Sequence, residues 1–431
     1  MLKALIITYY WPPAGGPGVQ RWLKFVKYLK EFDIEPIVYA PKNPTYPLED
    51  DSLLTEILDD ITAIKRPIFE PYRFAEIFSK KETKTISKGI ISGKEKQSLV
   101  QRILLYIRGN FFIPDARKFW VNPSVKYLKK YISEHKIETI ITTGPPHSVH
   151  LIGKKLKAQM KLNWVADFRD PWTTIGYHDK LKLTTKSLLK HKELEKEVLG
   201  NADHIIVTSF TTKEEFQNIT NRPISIITNG YDFEDVEEVS LDQKFTISHI
   251  GSLLSGRNPE NLWRALAELV ESDKEFAEWF RLKLVGTVSQ DVLKTLHQYG
   301  LSQFLELVDY VPHSEAVTIQ KRSQVLLLIE INSNETKCII PGKLFEYMVS
   351  KRPILAVGPE NADISRIISE TNSGSFFTYK DCESIKLLLK EYFEQYKEQK
   401  LVSRVTGIEK YSRRELTRSL AEILKNIKQE L

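Results

Sequence analysis

Three stretches of this 431-residue chain join glycine, charge and a strand-to-helix turn in ways that suit chemistry. The stretch "CIIPGKLFEYMVSKRPILAVG" (338–358) sets Gly342 at a helix start, Lys343 on its first turn and Glu346 just beyond. The stretch "HIGSLLSGRNPENL" (249–262) sets Arg257 just before another helix. The first N–H groups of a helix attract anions, and two cations beside them can neutralise a diphosphate without a metal. Glu346 can accept two hydrogen bonds from a ribose diol. The plain alternative for Glu346 is compensation of the helix dipole, worth roughly 0.3–1 kcal/mol.

In the first half, "WVADFRDPW" (164–172) gathers Asp167, Arg169 and Asp170 where a buried strand ends. Buried charges are costly unless paired, so the spacing predicts that Arg169 bridges the two carboxylates. The functional alternative is a carboxylate poised for a substrate hydroxyl, oriented by Arg169. An arginine beside the acids disfavours a divalent cation, and no metal site is expected. In "TTGPPHSVHLIG" (142–153), His147 lies in the turn, Ser148 is placed to cap a helix and His150 follows within its first turn. A histidine at the carboxyl end of a parallel strand is well placed for proton transfer, and an exposed turn histidine is the alternative.

The third stretch, "IITYYWPPAGGPGVQRW" (6–22), imitates a dinucleotide fingerprint. Gly16 and Gly18 supply its first two glycines, but Arg21 stands where the third belongs. The second strand ends on Tyr39 and Ala40 rather than an acid, so a nicotinamide cofactor is disfavoured. What remains at Gly15–Gly18 is bare backbone at a helix N-terminus, able to approach an anion.

These residues need a scaffold that delivers strand ends to one edge. Apolar runs at 4–10, 35–41, 138–144, 163–168, 204–209 and 224–230 alternate with helical patterns, among them the face of Val19, Trp22, Leu23, Val26 and Leu29. The rhythm restarts with strands at 245–252, 281–286, 305–311, 324–331, 352–358 and 375–379. Runs apolar on both faces imply parallel sheets covered by helices on both sides, so the class is α/β with two doubly wound domains. The acidic stretch 231–244 reads as the linker. Residues 42–135 interrupt the pattern with a lysine-rich stretch, 79–97, expected to be a mobile loop. The following stretch, 98–120, mixes apolar side chains with Arg102, Arg108 and Arg117. It suits either a membrane-surface or acceptor-binding element or a helix packed on the first domain with its arginines in water.

Composition narrows the classes further. The formal charge is +6, compatible with an acidic ligand or an anionic surface, but the basic residues are dispersed and nucleic acid is not an expected partner. Only two cysteines are present, Cys338 and Cys382, which exclude a disulfide framework. The N-terminal apolar run meets Trp-Pro-Pro rather than a cleavage site, and no run reaches the ~18 residues of a membrane span. A cytoplasmic protein, at most peripheral at the inner face of the membrane, is expected.

Taken in order, "PPAGGPGVQR", "TTGPPHSVHLIG", "ADFRDPW", "TNGYD", "HIGSL" and "PGKLFEYMVSKRPILA" resemble the retaining glycosyltransferase family 4, whose fold is GT-B. The resemblance runs over nearly the whole chain. It implies two Rossmann-like domains facing across a cleft: 1–235 on the acceptor side, 241–410 on the nucleotide-sugar side, and a terminal helix, 411–431, crossing back to the first. It implies a metal-independent hexosyltransferase that moves a sugar from a nucleoside diphosphate to a sugar or lipid-linked glycan acceptor, in cell-surface polysaccharide or glycolipid synthesis. By the same resemblance, Arg257 and Lys343 grip the donor phosphates, with Gly342 in the phosphate-binding loop. Glu346 is the second acid of an E-x7-E motif and holds the ribose. His313, beside Val311 and Pro312, lies near the base, and Gly16 offers backbone contact to the diphosphate or acceptor. His147, Arg169 and Asp170 are the polar groups expected at the anomeric carbon. Two positions depart from the family: Cys338 stands where the first acid of the motif belongs, and Ser252 where an arginine is usual. A GT-B nucleotide-sugar epimerase and a nucleotide-sugar-binding protein with little turnover are the alternatives.

Overall fold

The computed structural model describes residues 1–71, 99–174, 176, 178–232 and 239–429. The lysine-rich stretch 79–97 and residues 233–238 of the acidic stretch lie outside the described residues. The chain forms two compact units, Met1–Thr228 with Arg413–Leu431, and Asn229–Ser412.

The first unit is built on β1 (Leu2–Thr8), β2 (Ile34–Lys42), β3 (Thr62–Pro67), β4 (Thr139–Gly144), β5 (Asn163–Phe168), β6 (His204–Val207) and β7 (Ile224–Ile226). They align as β3-β2-β1-β4-β5-β6-β7, with every pairing parallel. Along β1, Leu5 and Ile7 enter a core with Trp164 and Val149, while Ala4 and Ile6 enter another with Trp22 and Val26. Period-2 alternation with apolar side chains on both faces is what a helix-covered parallel sheet requires.

The second unit contains β8 (Phe245–Ile250), β9 (Phe280–Val285), β10 (Leu305–Val308), β11 (Val325–Ile329), β12 (Ile354–Gly358) and β13 (Gly374–Thr378). Their order is β10-β9-β8-β11-β12-β13, again all parallel. In both sheets the winding reverses beside the first strand, between β1 and β4 and between β8 and β11. Such a reversal splays the following loops apart and opens a crevice at the carboxyl ends of the strands. The two strand sets read from the sequence therefore stand as two Rossmann-like units.

Helices cover the sheets. The helix Pro17–Leu29 starts on a proline and buries Val19, Trp22, Leu23, Val26 and Leu29 against β1 and β2. The helix Arg413–Gln429 belongs to the first unit and adds Leu416, Leu420, Leu424 and Ile427 to the same core. Side-chain caps fix other helix starts: Thr184 accepts from Ser187 N, and Ser209 from Thr212 N. β3 is absent from the sequence reading; it is an edge strand whose residues are mostly exposed, so it lacks an apolar run. The end of the acidic stretch is fastened to the second unit. Asp242 receives Lys283 Nζ at 2.9 Å, Arg322 Nε at 3.3 Å and Thr246 Oγ1 at 3.1 Å. Among the described residues, no helix is long and apolar enough to cross a membrane.

Candidate functional site

In the second unit, the predicted donor-side residues gather at the switch between β8 and β11. Beyond β8 the backbone turns at Gly251, where φ is 117° and only glycine sits without strain. A Cβ there would also lie 3.1 Å from Lys343 Nζ, so the lysine is close against this turn. Lys343 stands on the first turn of the helix Gly342–Val349, which follows β11 through a loop. Arg257 closes the loop after β8, its N–H held by Leu254 O at 2.8 Å. The turn and the helix start thus bring both cations to the same strand ends.

Glu330 joins them. It is the first residue after β11, its side chain is only 3% exposed, and its Oε2 lies 3.5 Å from Arg257 Nη2, an ion pair rather than a tight hydrogen bond. Tyr379 fixes this strand end by donating to Glu330 O at 2.8 Å. Burial raises the Glu330 carboxyl, with Arg257 and Lys343 pulling it back down. Burial pushes the Lys343 ammonium down to about 8; Glu330 opposes this and Arg257 adds to it. The sequence reading missed Glu330, which there is only one acid at the end of "QVLLLIEI". A charge closing a run otherwise apolar on both faces was the available signal.

Glu346 faces outward from the same helix. His313 Nε2 lies 3.4 Å from its Oε1, and Gln320 Nε2 donates to its Oε2 at 3.1 Å. The structure thus brings Glu346 and His313 together, with His313 opening the helix His313–Arg322 and keeping an exposed side chain. At Gly342 an added Cβ meets nothing within 4 Å, so packing in this unit does not demand the glycine. Cys338 is buried, with its thiol directed at Glu335 O, 3.7 Å away, and Ser252 is exposed beside Gly251. Beneath the site, His249 Nδ1 donates to Leu327 O at 3.0 Å and ties β8 to β11. Burial, reinforced by Lys343, holds that imidazole down at about 3.

In the first unit, the predicted charge cluster is arranged differently from the expectation. Arg169 does not bridge Asp167 and Asp170. Asp167 is fully buried and is satisfied by Arg21 Nη2 at 3.0 Å, Trp22 Nε1 at 2.8 Å and Thr143 Oγ1 at 2.8 Å. Arg21 completes the link by donating to Thr228 O at 2.6 Å. The residue that spoils the dinucleotide fingerprint therefore neutralises a core carboxylate. Arg169 instead reaches back over the β4 turn and donates to Gly144 O at 3.3 Å and to Pro145 O. Its guanidinium also lies over the Tyr10 ring, 5.5 Å from the centroid. Two carbonyls and an aromatic face hold it, and Asp170 and Asp167 favour its charge from nearby without a direct ion pair among the described residues.

This placement explains a glycine of the opening loop. A Cβ on Gly18 would sit 1.7 Å from Arg169 Nη1, so Gly18 yields the space that Arg169 fills. Gly16 caps the helix at φ 98° and has no neighbour within 4 Å of an added Cβ. Asp170 is half-buried, and its carboxyl is raised by burial and partly restored by Arg169.

His147 is not exposed. It is 4% exposed and stacks on Trp172 with ring centroids 4.8 Å apart, and among the described residues neither ring nitrogen has a hydrogen-bond partner. Burial drives its imidazole well below the usual range, with His150 adding to the effect. His150 bonds Thr142 Oγ1 at 2.9 Å and is held neutral, down at about 3, by burial. Ser148 is not the helix cap either. It is the first residue of the helix Ser148–Lys157, and its N and Oγ both donate to Asp115, each at 2.8 Å. A carboxylate 33 residues earlier supplies the cap, a partnership that spacing within the loop cannot reveal.

No protein-family model matches the sequence, and no curated protein sequence is significantly similar to it. Solved structures are similar across the full length. Sucrose-phosphate synthase from Thermosynechococcus elongatus is 12% identical, covers 100% of both chains and gives a TM-score of 0.60. HepE from Anabaena, in complex with UDP-glucose, is 13% identical over 99% of this chain and 100% of its own, with a TM-score of 0.57. A UDP-N-acetylglucosamine 2-epimerase is 14% identical over 98% of this chain and 95% of its own, with a TM-score of 0.50. The fold is GT-B. Identities this low establish the fold alone.

Proposed function

We propose that this protein is a metal-independent retaining glycosyltransferase that takes a hexosyl group from a nucleoside diphosphate to a hydroxyl acceptor. The observation that carries the proposal is the convergence of Arg257 and Lys343 at a strand-reversal crevice, with Glu346 one turn along from the lysine. In this reading the two cations balance the diphosphate, and the first turn of the helix Gly342–Val349 adds its N–H groups. Glu346 holds the ribose diol, and His313 lies beside it toward the base. As the glycosidic bond breaks, negative charge grows on the leaving phosphate, which Arg257 and Lys343 stabilise in place. The acceptor hydroxyl adds on the face the diphosphate leaves, and a phosphate oxygen takes its proton. His147, Arg169 and Asp170 are the candidates for the polar role near the anomeric carbon, and the Gly16 backbone contacts the diphosphate or the acceptor. The acceptor class is a sugar or lipid-linked glycan of cell-surface assembly.

The UDP-glucose carried by HepE makes UDP-sugars the first donors to try. Purified protein is screened for thermal stabilisation by nucleotide sugars, then for nucleoside diphosphate release on adding glycan or glycolipid acceptors, with and without EDTA. Release that depends on acceptor and survives EDTA supports the proposal. Loss in EDTA that Mg²⁺ restores contradicts the metal-free account. The epimerase neighbour favours a second reading: interconversion of a free nucleotide sugar without acceptor would establish it.

A further inference from the structure

The helix Leu99–Phe111 is bound to the first unit by one edge only. Leu105 is buried against Leu181, and Asn110 donates to Lys182 O at 3.1 Å. Its outer face carries Leu99, Ile103, Ile107 and Phe111 at successive i, i+4 positions, exposed by 73%, 58%, 38% and 63%. Tyr106 shares that face and is 43% exposed. The helix thus has one packed edge and one exposed apolar edge.

The apolar surface continues beyond the helix. Lys118 Nζ donates to Phe111 O at 2.6 Å and lies over the rings of Phe112 and Phe119, 5.6 and 5.4 Å from their centroids. The Phe119 ring meets that of Phe69, and both are exposed. On the other flank, Tyr106 and Phe111 line an open groove of about 950 Å³ with Leu189, Lys186 and Lys190. Scattered exposed apolar residues are ordinary, but a connected set of this extent marks a contact surface.

The charge around it is mainly basic: the groove holds one acid, Glu193, which pairs with Lys190 at 2.7 Å and leaves Lys186 as its excess cation. Residues 99–133 hold seven lysines and arginines and a single acid, Asp115, which is engaged with Ser148. Arg117 is turned inward to Glu70, while Arg102 and Lys186 are exposed. A two-fold contact with a second copy would set this basic rim against itself. An anionic bilayer satisfies both features at once: apolar side chains enter the acyl boundary, and long basic side chains reach the headgroup phosphates.

We propose that the face formed by the helix Leu99–Phe111, with Phe119 and Lys118, docks the protein on an anionic phospholipid bilayer. The inference stands apart from the transferase reading, because vesicle binding is measured without donor or acceptor.

The test is co-sedimentation with vesicles of phosphatidylglycerol and phosphatidylethanolamine, against vesicles of phosphatidylcholine. The protein is expected to bind the anionic vesicles, to leave the neutral ones in solution, and to dissociate as salt rises. The pair Ile103→Glu with Phe111→Glu is expected to weaken binding about tenfold or more, since two apolar anchors are replaced by acids. Arg102→Glu with Lys186→Glu is expected to weaken it through charge alone. All four positions are exposed, and circular dichroism and thermal unfolding confirm that the variants are folded. No binding to anionic vesicles overturns the proposal, as does equal binding to both vesicle types or binding that neither pair alters. So does a dimer, seen in sedimentation equilibrium, that Ile103→Glu with Phe111→Glu dissolves while vesicles are ignored.

Discussion

Lys343 has an ammonium pushed down to about 8 by burial, a value at which its charge is sensitive to any anion that arrives. A diphosphate favours the charged form and raises the pKa, so binding takes up protons when the pH is near or above 8. Affinity for a nucleoside diphosphate is expected to be level between about pH 7 and 8, above the titration of its own terminal phosphate. Above that it falls by up to about tenfold per pH unit until the bound-state pKa is reached. Calorimetry with UDP in buffers of different ionisation enthalpy measures the proton uptake directly. Lys343→Arg should flatten the profile, because guanidinium does not titrate in this range. A flat profile in the unaltered protein would remove Lys343 from the phosphate grip. Glu330 supplies a second residue-scale test, since its carboxylate helps keep Lys343 charged. With Glu330→Gln the ammonium loses that support, so the fall in UDP affinity should begin at a lower pH than in the parent. A uniform loss at every pH would mean that Glu330 acts only through the fold. Lys343, Arg257 and Glu346 were legible because charge stood at strand-to-helix turns. Glu330 and the Arg21–Asp167 pair were not, because a buried charge is recognised only once its partner, remote in sequence, is known.

At the scale of elements, strands with apolar side chains on both faces announced themselves: β1, β5, β8 and β11 are buried along most or all of their length. β3 did not, because an exposed edge strand such as "TAIKRP" draws its stability from the ladder to β2 rather than from its own side chains. The Asp115 cap on the helix Ser148–Lys157 was hidden for a related reason, its two ends lying 33 residues apart. The terminal helix was visible through its apolar spacing, and its contribution can be measured. Leu420 and Leu424 are fully buried in the core shared with Trp22 and Val26, and Arg414 reaches Glu31 at 2.6 Å. The exposed ion pair contributes little, whereas truncating a buried leucine removes contacts that the surrounding packing only partly recovers. Leu424→Ala is expected to destabilise the first unit by about 2–5 kcal/mol. Arg414→Ala is expected to cost under about 1 kcal/mol. Urea unfolding of both variants checks the ranking, and the reverse order would show that the helix is held by its surface charges.

For the molecule as a whole, the two-unit architecture followed from the restart of the strand rhythm after residue 240, but the acid response of the protein depends on burial that composition does not show. Among the described residues, His147, His150, His178, His191 and His249 are buried, and the pKa of each is lowered. Burial is the leading cause in each. It holds His150 and His249 down at about 3, His178 at about 4 and His147 well below the usual range. In the unfolded chain each titrates near 6.5, so the unfolded state binds more protons between that value and the folded pKa. Stability from these groups is therefore complete above pH 6.5 and is lost as the pH falls toward 3–4. One pH unit below 6.5, each neutral histidine costs about 1.4 kcal/mol, provided the fold keeps it uncharged. Four of the five lie in the first unit, so acid should weaken that unit more than the second. Urea unfolding between pH 7.5 and 5.5, followed by tryptophan fluorescence, measures the loss. His147→Phe, which keeps an aromatic ring against Trp172 and removes the titration, should reduce the pH dependence by about one proton's share. An unchanged slope in His147→Phe would mean that this imidazole is charged in the folded protein and that its ring nitrogens have found a partner.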